Sequence, residues 1–195
     1  MIKKLCVLFS CVVLSASLFA QSSPAGEGPG PSLWVGVGFS TFNPDYGCPS
    51  DALFSCFTRQ LVGVVPYADY NHLFNRIGVE GEMRWLNWRG PGSGIKESNY
   101  MGGLRVRLIT YKKRVSLNAK VLAGDAHFSS ANVVGRGNYF AFAPGMTLDY
   151  RITRRVAVRA DYEYQMWPNF NGGTGGSGGL SPNGLTFGVS YRLLH

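Results

Sequence analysis

Two sets of residues could do chemistry. In DAHFSSAN, residues 125–132, His127 and Ser129 stand two apart. A histidine within reach of a serine hydroxyl can act as base to a nucleophile, provided an acid orients the ring. No aspartate or glutamate occurs between Asp125 and Asp149 to follow the pair. The second set is acidic: Glu80 and Glu82 in one stretch, Asp161 and Glu163 in another. Paired carboxylates can serve hydrolysis, one as acid and one as base or nucleophile. These pairs, however, have basic neighbours at the same spacing of two: Arg84 after Glu82, and Arg159 before Asp161. Arg105 and Arg107 repeat the spacing.

Residues two apart share one face of a β-strand. In RADYEYQMW, residues 159–167, one face holds Arg159, Asp161, Glu163 and Gln165; the other holds Ala160, Tyr162, Tyr164 and Met166. Eight such segments can be read, at 33–42, 61–70, 77–88, 100–110, 115–124, 139–150, 156–166 and 184–194. Each is long enough to cross a hydrocarbon core as a tilted barrel strand, which takes about 9–11 residues. Long connections at 43–60, 89–99, 125–138 and 167–183 alternate with short ones at 71–76, 111–114 and 151–155. That alternation predicts an all-β fold: an eight-stranded, antiparallel, up-and-down transmembrane β-barrel.

Parity decides which face is inside. One set runs through Val35, Val37, Phe39, Leu104, Val106, Leu108, Phe187 and Val189 and carries no charge on any strand. The other holds Asp69, Glu80, Glu82, Arg84, Arg105, Arg107, Lys120, Asp149, Arg159, Asp161, Glu163 and Arg192, six basic and six acidic residues. A soluble lipocalin-like barrel or a sandwich would turn the apolar set inward. Lipid requires the reverse, because it tolerates no unpaired charge. An eight-stranded interior is just wide enough to fill with side chains, and buried charges must pair. We therefore expect an interior ionic network of Glu80, Glu82, Arg84, Arg105, Arg107, Lys120, Arg159, Asp161, Glu163 and Arg192. With the 77–88 and 100–110 strands level at their turn, Ile77 faces Thr110. Glu80 then meets Arg107, Glu82 meets Arg105, and Lys120 falls near Arg105, so that five of these residues form one cluster.

Composition agrees. Charged residues are only 15% of the 195, below the roughly 25% of soluble domains, while aromatics reach 13%. Trp34, Tyr70, Trp85, Trp88, Tyr100, Tyr111, Tyr139, Tyr150, Trp167 and Tyr191 lie near strand ends, as interfacial belts do. The short turns are basic: Arg76; Lys112, Lys113 and Arg114; Arg151, Arg154 and Arg155.

The first residues, MIKKLCVLFSCVVLSASLFAQ, have the basic, apolar, small-residue order of an export signal, with cleavage expected after Ala20. The domain plan is then a signal peptide at 1–20, a periplasmic segment at 21–32 and the barrel at 33–195. Removal of the signal leaves 17 basic and 11 acidic residues and lowers the formal charge from +8 to +6. It also leaves two cysteines, Cys48 and Cys56, in one polar loop, expected as a disulfide. No metal or other cofactor is expected: His72, His127 and His195 are scattered, and GGTGGSGG at 172–179 lacks the Gly-Lys-Ser/Thr of a phosphate loop. Nucleic acid is not expected as a partner, since no basic stripe with stacking aromatics accompanies the positive charge.

The final strand, GLTFGVSYRLLH, resembles the end signal of bacterial outer-membrane barrels, although that signal usually closes on an aromatic residue. From RITRRVAVRADYEYQMWPNF to the end the chain is similar to small OmpA/OmpX-type barrel proteins, and the likeness covers residues 33–195. It implies outer-membrane localisation, contact with membrane lipid and lipopolysaccharide, and a monomer. The role expected is structural, or that of a surface interaction module meeting an extracellular ligand or host surface through 43–60, 125–138 and 167–183. His127 and Ser129 also resemble the His-x-Ser of the outer-membrane lipid A deacylase, which makes a lipid A-cleaving enzyme the alternative; its following acid is missing here. A narrow pore is the third reading, disfavoured by a filled interior.

Overall fold

The computed structural model describes residues 31–44, 60–74, 76–88, 96–129, 137–170 and 179–194. All lie in one compact unit, Pro31–His195. The eight strands are β1 Ser32–Asn43, β2 Leu61–Phe74, β3 Ile77–Trp88, β4 Lys96–Tyr111, β5 Val115–Ser129, β6 Gly137–Arg151, β7 Val156–Tyr164 and β8 Asn183–Arg192. Each pairs antiparallel with its neighbour in sequence, and β1 also pairs with β8, from Trp34 opposite Arg192 to Asn43 opposite Asn183. The sheet is a closed barrel with no free edge. Among the described residues no helix is long and apolar enough to cross a membrane; the crossing is made by strands.

The period-two alternation forms the two faces. Phe39, Leu104, Phe187 and Val189 stand exposed on the outside, while Arg84, Lys120, Asp161 and Glu163 are buried inside. Burial of the polar set and exposure of the apolar set is stable only when the outer solvent is hydrocarbon.

Three details differ from the sequence-based expectation. First, strands run on past the apolar band: β4 begins at Lys96 rather than 100, and β5 continues to Ser129 rather than ending at 124, with Lys96 opposite Ser129. Continued pairing satisfies backbone groups that would otherwise need other partners. On the facing side β7 stops at Tyr164, and the chain continues through single bridges, Met166 to Phe142 and Trp167 to Leu180.

Second, the β3–β4 register is not level. Ile77 faces Val106, not Thr110; Glu80 faces Gly103 and Glu82 faces Met101. The β4–β5 hairpin therefore projects beyond the β2–β3 turn, and Arg107 N donates to Arg76 O at 2.9 Å. Tilted strands in a closed barrel must be staggered, so neighbouring turn ends need not lie level.

Third, Trp34 and Trp167 are not belt residues. Both are buried inside the barrel, on the same parity as the charges. Trp85, Tyr100, Tyr111, Tyr150 and Tyr191 do face outward. Trp85 Nε1 donates to Tyr100 Oη at 3.3 Å, across the β3–β4 pair.

The β4–β5 turn is tight. Arg114 N donates to Tyr111 O at 3.1 Å, and the two central residues, Lys112 and Lys113, have φ of 48° and 56°. Such a turn normally takes Asn and Gly, because a Cβ is crowded at positive φ.

Candidate functional site

The barrel interior is built in storeys. Nearest the short turns, Arg159 reaches from β7 to Asp69 on β2 and, through Nε, to Asp149 Oδ1 on β6 at 2.8 Å. Arg105 on β4 meets the same two acids: Asp69 Oδ2 at 2.7 Å and Asp149 by a second, short contact. It also donates to Thr147 Oγ1 at 3.1 Å. The Arg159 guanidinium lies 4.2 Å from the centre of the Tyr67 ring. That ring lies across Gly36, its cross-strand partner, where any Cβ would fall 2.4 Å from a ring carbon. Glycine at 36 is what lets Tyr67 lie flat in the lumen.

The next storey centres on Lys120. Its Nζ lies 2.6 Å from Asp161, 2.8 Å from Glu163, 3.0 Å from Glu82 and 3.3 Å from Glu80. Gly145, opposite on β6, leaves room for the stem; a Cβ there would come 3.0 Å from Lys120 Cε. Glu80, Glu82 and Asp161 are grouped closely enough to hold a metal ion, but the ammonium stands among them as the cation. Above, Arg84 joins Glu163 at 2.7 Å and Glu82 at 2.9 Å, with its guanidinium 4.2 Å from the centre of the Phe42 ring.

A neutral relay follows. Gln165 Nε2 donates to Glu163 Oε1 at 2.8 Å, while Gln165 Oε1 accepts from Trp167 Nε1 at 2.9 Å and from Asn99 Nδ2 at 3.2 Å. Asn99 Nδ2 also donates to Glu97 Oε1 at 2.8 Å. Beyond it, at the long-loop end, the lumen is apolar. Phe42, Leu61, Leu86, Leu122, Phe128, Trp167, Phe170 and Leu180 are all buried in one cluster. Tyr139 stacks on Trp167 with the ring planes 17° apart and packs against Phe170 at 4.9 Å between centroids.

Two residues expected in the network lie apart from its centre. Arg107 is half-buried at the short-turn mouth, where Nη1 lies 2.6 Å from His72 Nε2. It meets no carboxylate of Glu80 or Glu82, because the register places it beyond β3. Arg192 lies 5.9 Å above the Trp34 ring, and its Nε donates to Leu194 O at 3.2 Å. Lys120 does stand opposite Arg105 across β4 and β5, but Arg105 reaches Glu80, at 3.5 Å, and not Glu82. Among the described residues the enclosed charges are therefore not balanced. Asp69, Glu80, Glu82, Glu97, Asp149, Asp161 and Glu163 oppose Arg84, Arg105, Lys120 and Arg159. Glu97 makes no ion pair with any described residue and was missed because the strand was expected to start later.

This arrangement is suited to holding a lumen shut. Every enclosed carboxylate but Glu97 meets a guanidinium or ammonium group, and a pocket of about 20 Å³ at the mouth, bordered by Trp34, Asp149 and Arg151, has room for about one water. His127 stands on the outer face of β5, at its loop end, with Nδ1 2.6 Å from Asn138 Oδ1. Its partner is an amide, where a triad would need a carboxylate. Ser129 is the last residue of the same strand. Cys48, Cys56, His195 and residues 1–30 lie outside the described residues.

Residues 11–192 match the family model described as outer membrane protein beta-barrel domain. No curated protein matches the sequence. Among solved structures, Neisserial surface protein A is similar, with a TM-score of 0.55 and 14% identity over 86% of this chain and all of that one. Ail, the attachment invasion locus protein of Yersinia pestis, has a TM-score of 0.50 and 18% identity over 84% of this chain and 97% of that one. The same protein in complex with the heparin analogue sucrose octasulfate has a TM-score of 0.50 and 19% identity over the same shares.

Proposed function

This chain belongs to the family of outer-membrane β-barrel domains, and from that premise we propose that it is a non-enzymatic, monomeric barrel that carries interaction loops at the outer surface. The observation that supports this most is the lumen, which among the described residues is filled by an ionic stack capped by an apolar cluster. Variable chemistry is then left to the long connections 43–60, 125–138 and 167–183. Closure of β1 on β8 within one chain leaves no sheet edge for a partner copy. Ail, similar in fold, is seen with a sulfated sugar analogue; an extracellular ligand or host surface suits these loops as well.

The experiment is capture on the intact surface. Cells displaying the protein should adhere to a host-derived matrix, and replacing residues 45–59 and 171–178 with short Gly/Ser links should abolish adhesion while the barrel still folds. Equal adhesion of the loop-replaced protein rejects the reading. In the lipid A deacylase alternative, His127 would activate Ser129, yet Asn138 takes the ring nitrogen. Incubation with lipid A should release no fatty acid; release abolished by Ser129→Ala would establish the enzyme. Cys48 and Cys56 are proposed as a disulfide closing a small ring in the first long loop. Its entropic contribution is about 2–3 kcal/mol, and mass spectrometry of envelope-derived protein should show the bridge; two free thiols refute it.

A further inference from the structure

The short-turn end gathers one kind of charge. Lys113, Arg114, Arg151, Arg154, Arg155 and Arg192 line a crevice of about 710 Å³ between the β4–β5 turn, the β6–β7 turn and the end of β8. Among the described residues no carboxylate lines it. Among the described residues, Arg114, Arg151, Arg154 and Arg155 make no ion pair. Asp149, two residues before Arg151, is already held by Arg105 and Arg159. These four guanidinium groups, crowded without a described ion pair, repel one another, and an anion in the crevice relieves that.

The crevice is fixed in place and has an apolar wall. Thr153 Oγ1 accepts from the main-chain N–H groups of Arg155 and Val156 at 3.2 and 3.0 Å, which holds the turn. Arg192 N donates to Arg155 O at 2.8 Å and ties the end of β8 to it. Ile152 and Leu193, 55% and 54% exposed, stand beside the guanidinium groups, as does Tyr191, whose hydroxyl lies 3.4 Å from Arg155 Nη1. A soluble anion would use the charges alone. A lipid uses both walls: the guanidinium forks match phosphate oxygens, and exposed side chains accept the acyl chains.

We propose that this crevice is a headgroup site for an anionic phospholipid of the leaflet at the short-turn end, which in barrels of this kind is the periplasmic one. The phosphodiester would be met by Arg151 and Arg155. The inference rests on the membrane placement of the barrel and not on any role of its loops.

The test uses the full-length protein, folded in a neutral detergent, with equal amounts of phosphatidylglycerol and phosphatidylcholine. Native mass spectrometry reads which lipid stays bound. The anionic lipid should be preferred about thirtyfold, the equivalent of about 1 kcal/mol for each of two guanidinium groups. In Arg151→Gln/Arg155→Gln the preference should vanish, and in Arg151→Lys/Arg155→Lys most of it should return. Heat-shifted gel mobility checks that each variant is folded; if the first pair does not fold, Arg114→Gln/Arg154→Gln tests the same crevice. No preference in the unmodified protein, or an unchanged preference in a folded Gln variant, overturns the proposal. Displacement of the lipid by millimolar inorganic phosphate would make this a simple anion site and overturn the lipid assignment.

Discussion

Lys120 Nζ and Asp161 Oδ2 lie 2.6 Å apart, although their strands, β5 and β7, are not neighbours and β6 stands between them. The contact spans β6 through the lumen, so it ties second-neighbour strands in addition to the backbone ladder. Lys120 does the same with Glu80 and Glu82 on β3.

Replacing that one cation should cost the most. Lys120→Met keeps the stem and removes the charge, leaving four carboxylates facing one another. Breaking a buried pair from one side costs about 3–5 kcal/mol. The urea midpoint of the variant in micelles should fall accordingly; a midpoint within error of the parent would show that the carboxylates have other compensation.

Glu97 and Glu163 should behave oppositely. Glu97 has Asn99 as its side-chain partner and no described ion pair, so Glu97→Gln removes a charge already in excess. Its stability should be unchanged or slightly higher. Glu163 meets both Arg84 and Lys120, and Glu163→Gln should lose about 1–3 kcal/mol with those charged bonds. Equal loss in the two variants, in the same unfolding assay, would contradict the charge count.

The β4–β5 turn should be improvable. Lys113 sits at φ 56°, where glycine carries no steric cost. Lys113→Gly should therefore stabilise the barrel by about 0.5–1 kcal/mol. A lower unfolding midpoint would mean that the Lys113 side chain contributes more than its backbone loses.

Conductance should need removals in several storeys. In planar bilayers the parent should not conduct, because ionic and apolar storeys both fill the lumen. Arg84→Ala alone leaves the Trp167 and Phe170 cap, so it should stay closed. Arg84→Ala with Trp167→Ala empties only the loop-end half; the Lys120 and Arg105–Arg159 storeys remain, so cation-selective openings should appear only when Lys120 and Arg105 are replaced as well. Steady current through the parent would reject the filled lumen.

Much of this was legible as alternation. Arg159, Asp161, Glu163 and Gln165 declared the inner face of β7, and the same parity carried on to Trp167 at the loop end. Trp167 has the residue type and strand-end position of an interfacial belt, but its parity with Arg159 and Glu163 places it inside. Leu86 and Leu122 likewise share the parity of Arg84 and Lys120 and could have shown that the upper lumen is apolar. His127 alternates with Lys120, so its outward position was also in the pattern. The Glu80 and Glu82 partners were not: they depend on stagger between β3 and β4, a property of barrel closure that no local spacing records.

The seam between β1 and β8 sets the order in which this molecule can come into being. Val37 pairs with Val189, so the first strand waits for nearly the whole chain before its second row of hydrogen bonds can form. Until then the sheet has two unpaired edges, whose bare N–H and C=O groups hydrocarbon will not accept. Entry into the bilayer and closure of the seam are therefore one event. A chain lacking β8 is not seven-eighths of a barrel; it should remain outside the membrane altogether.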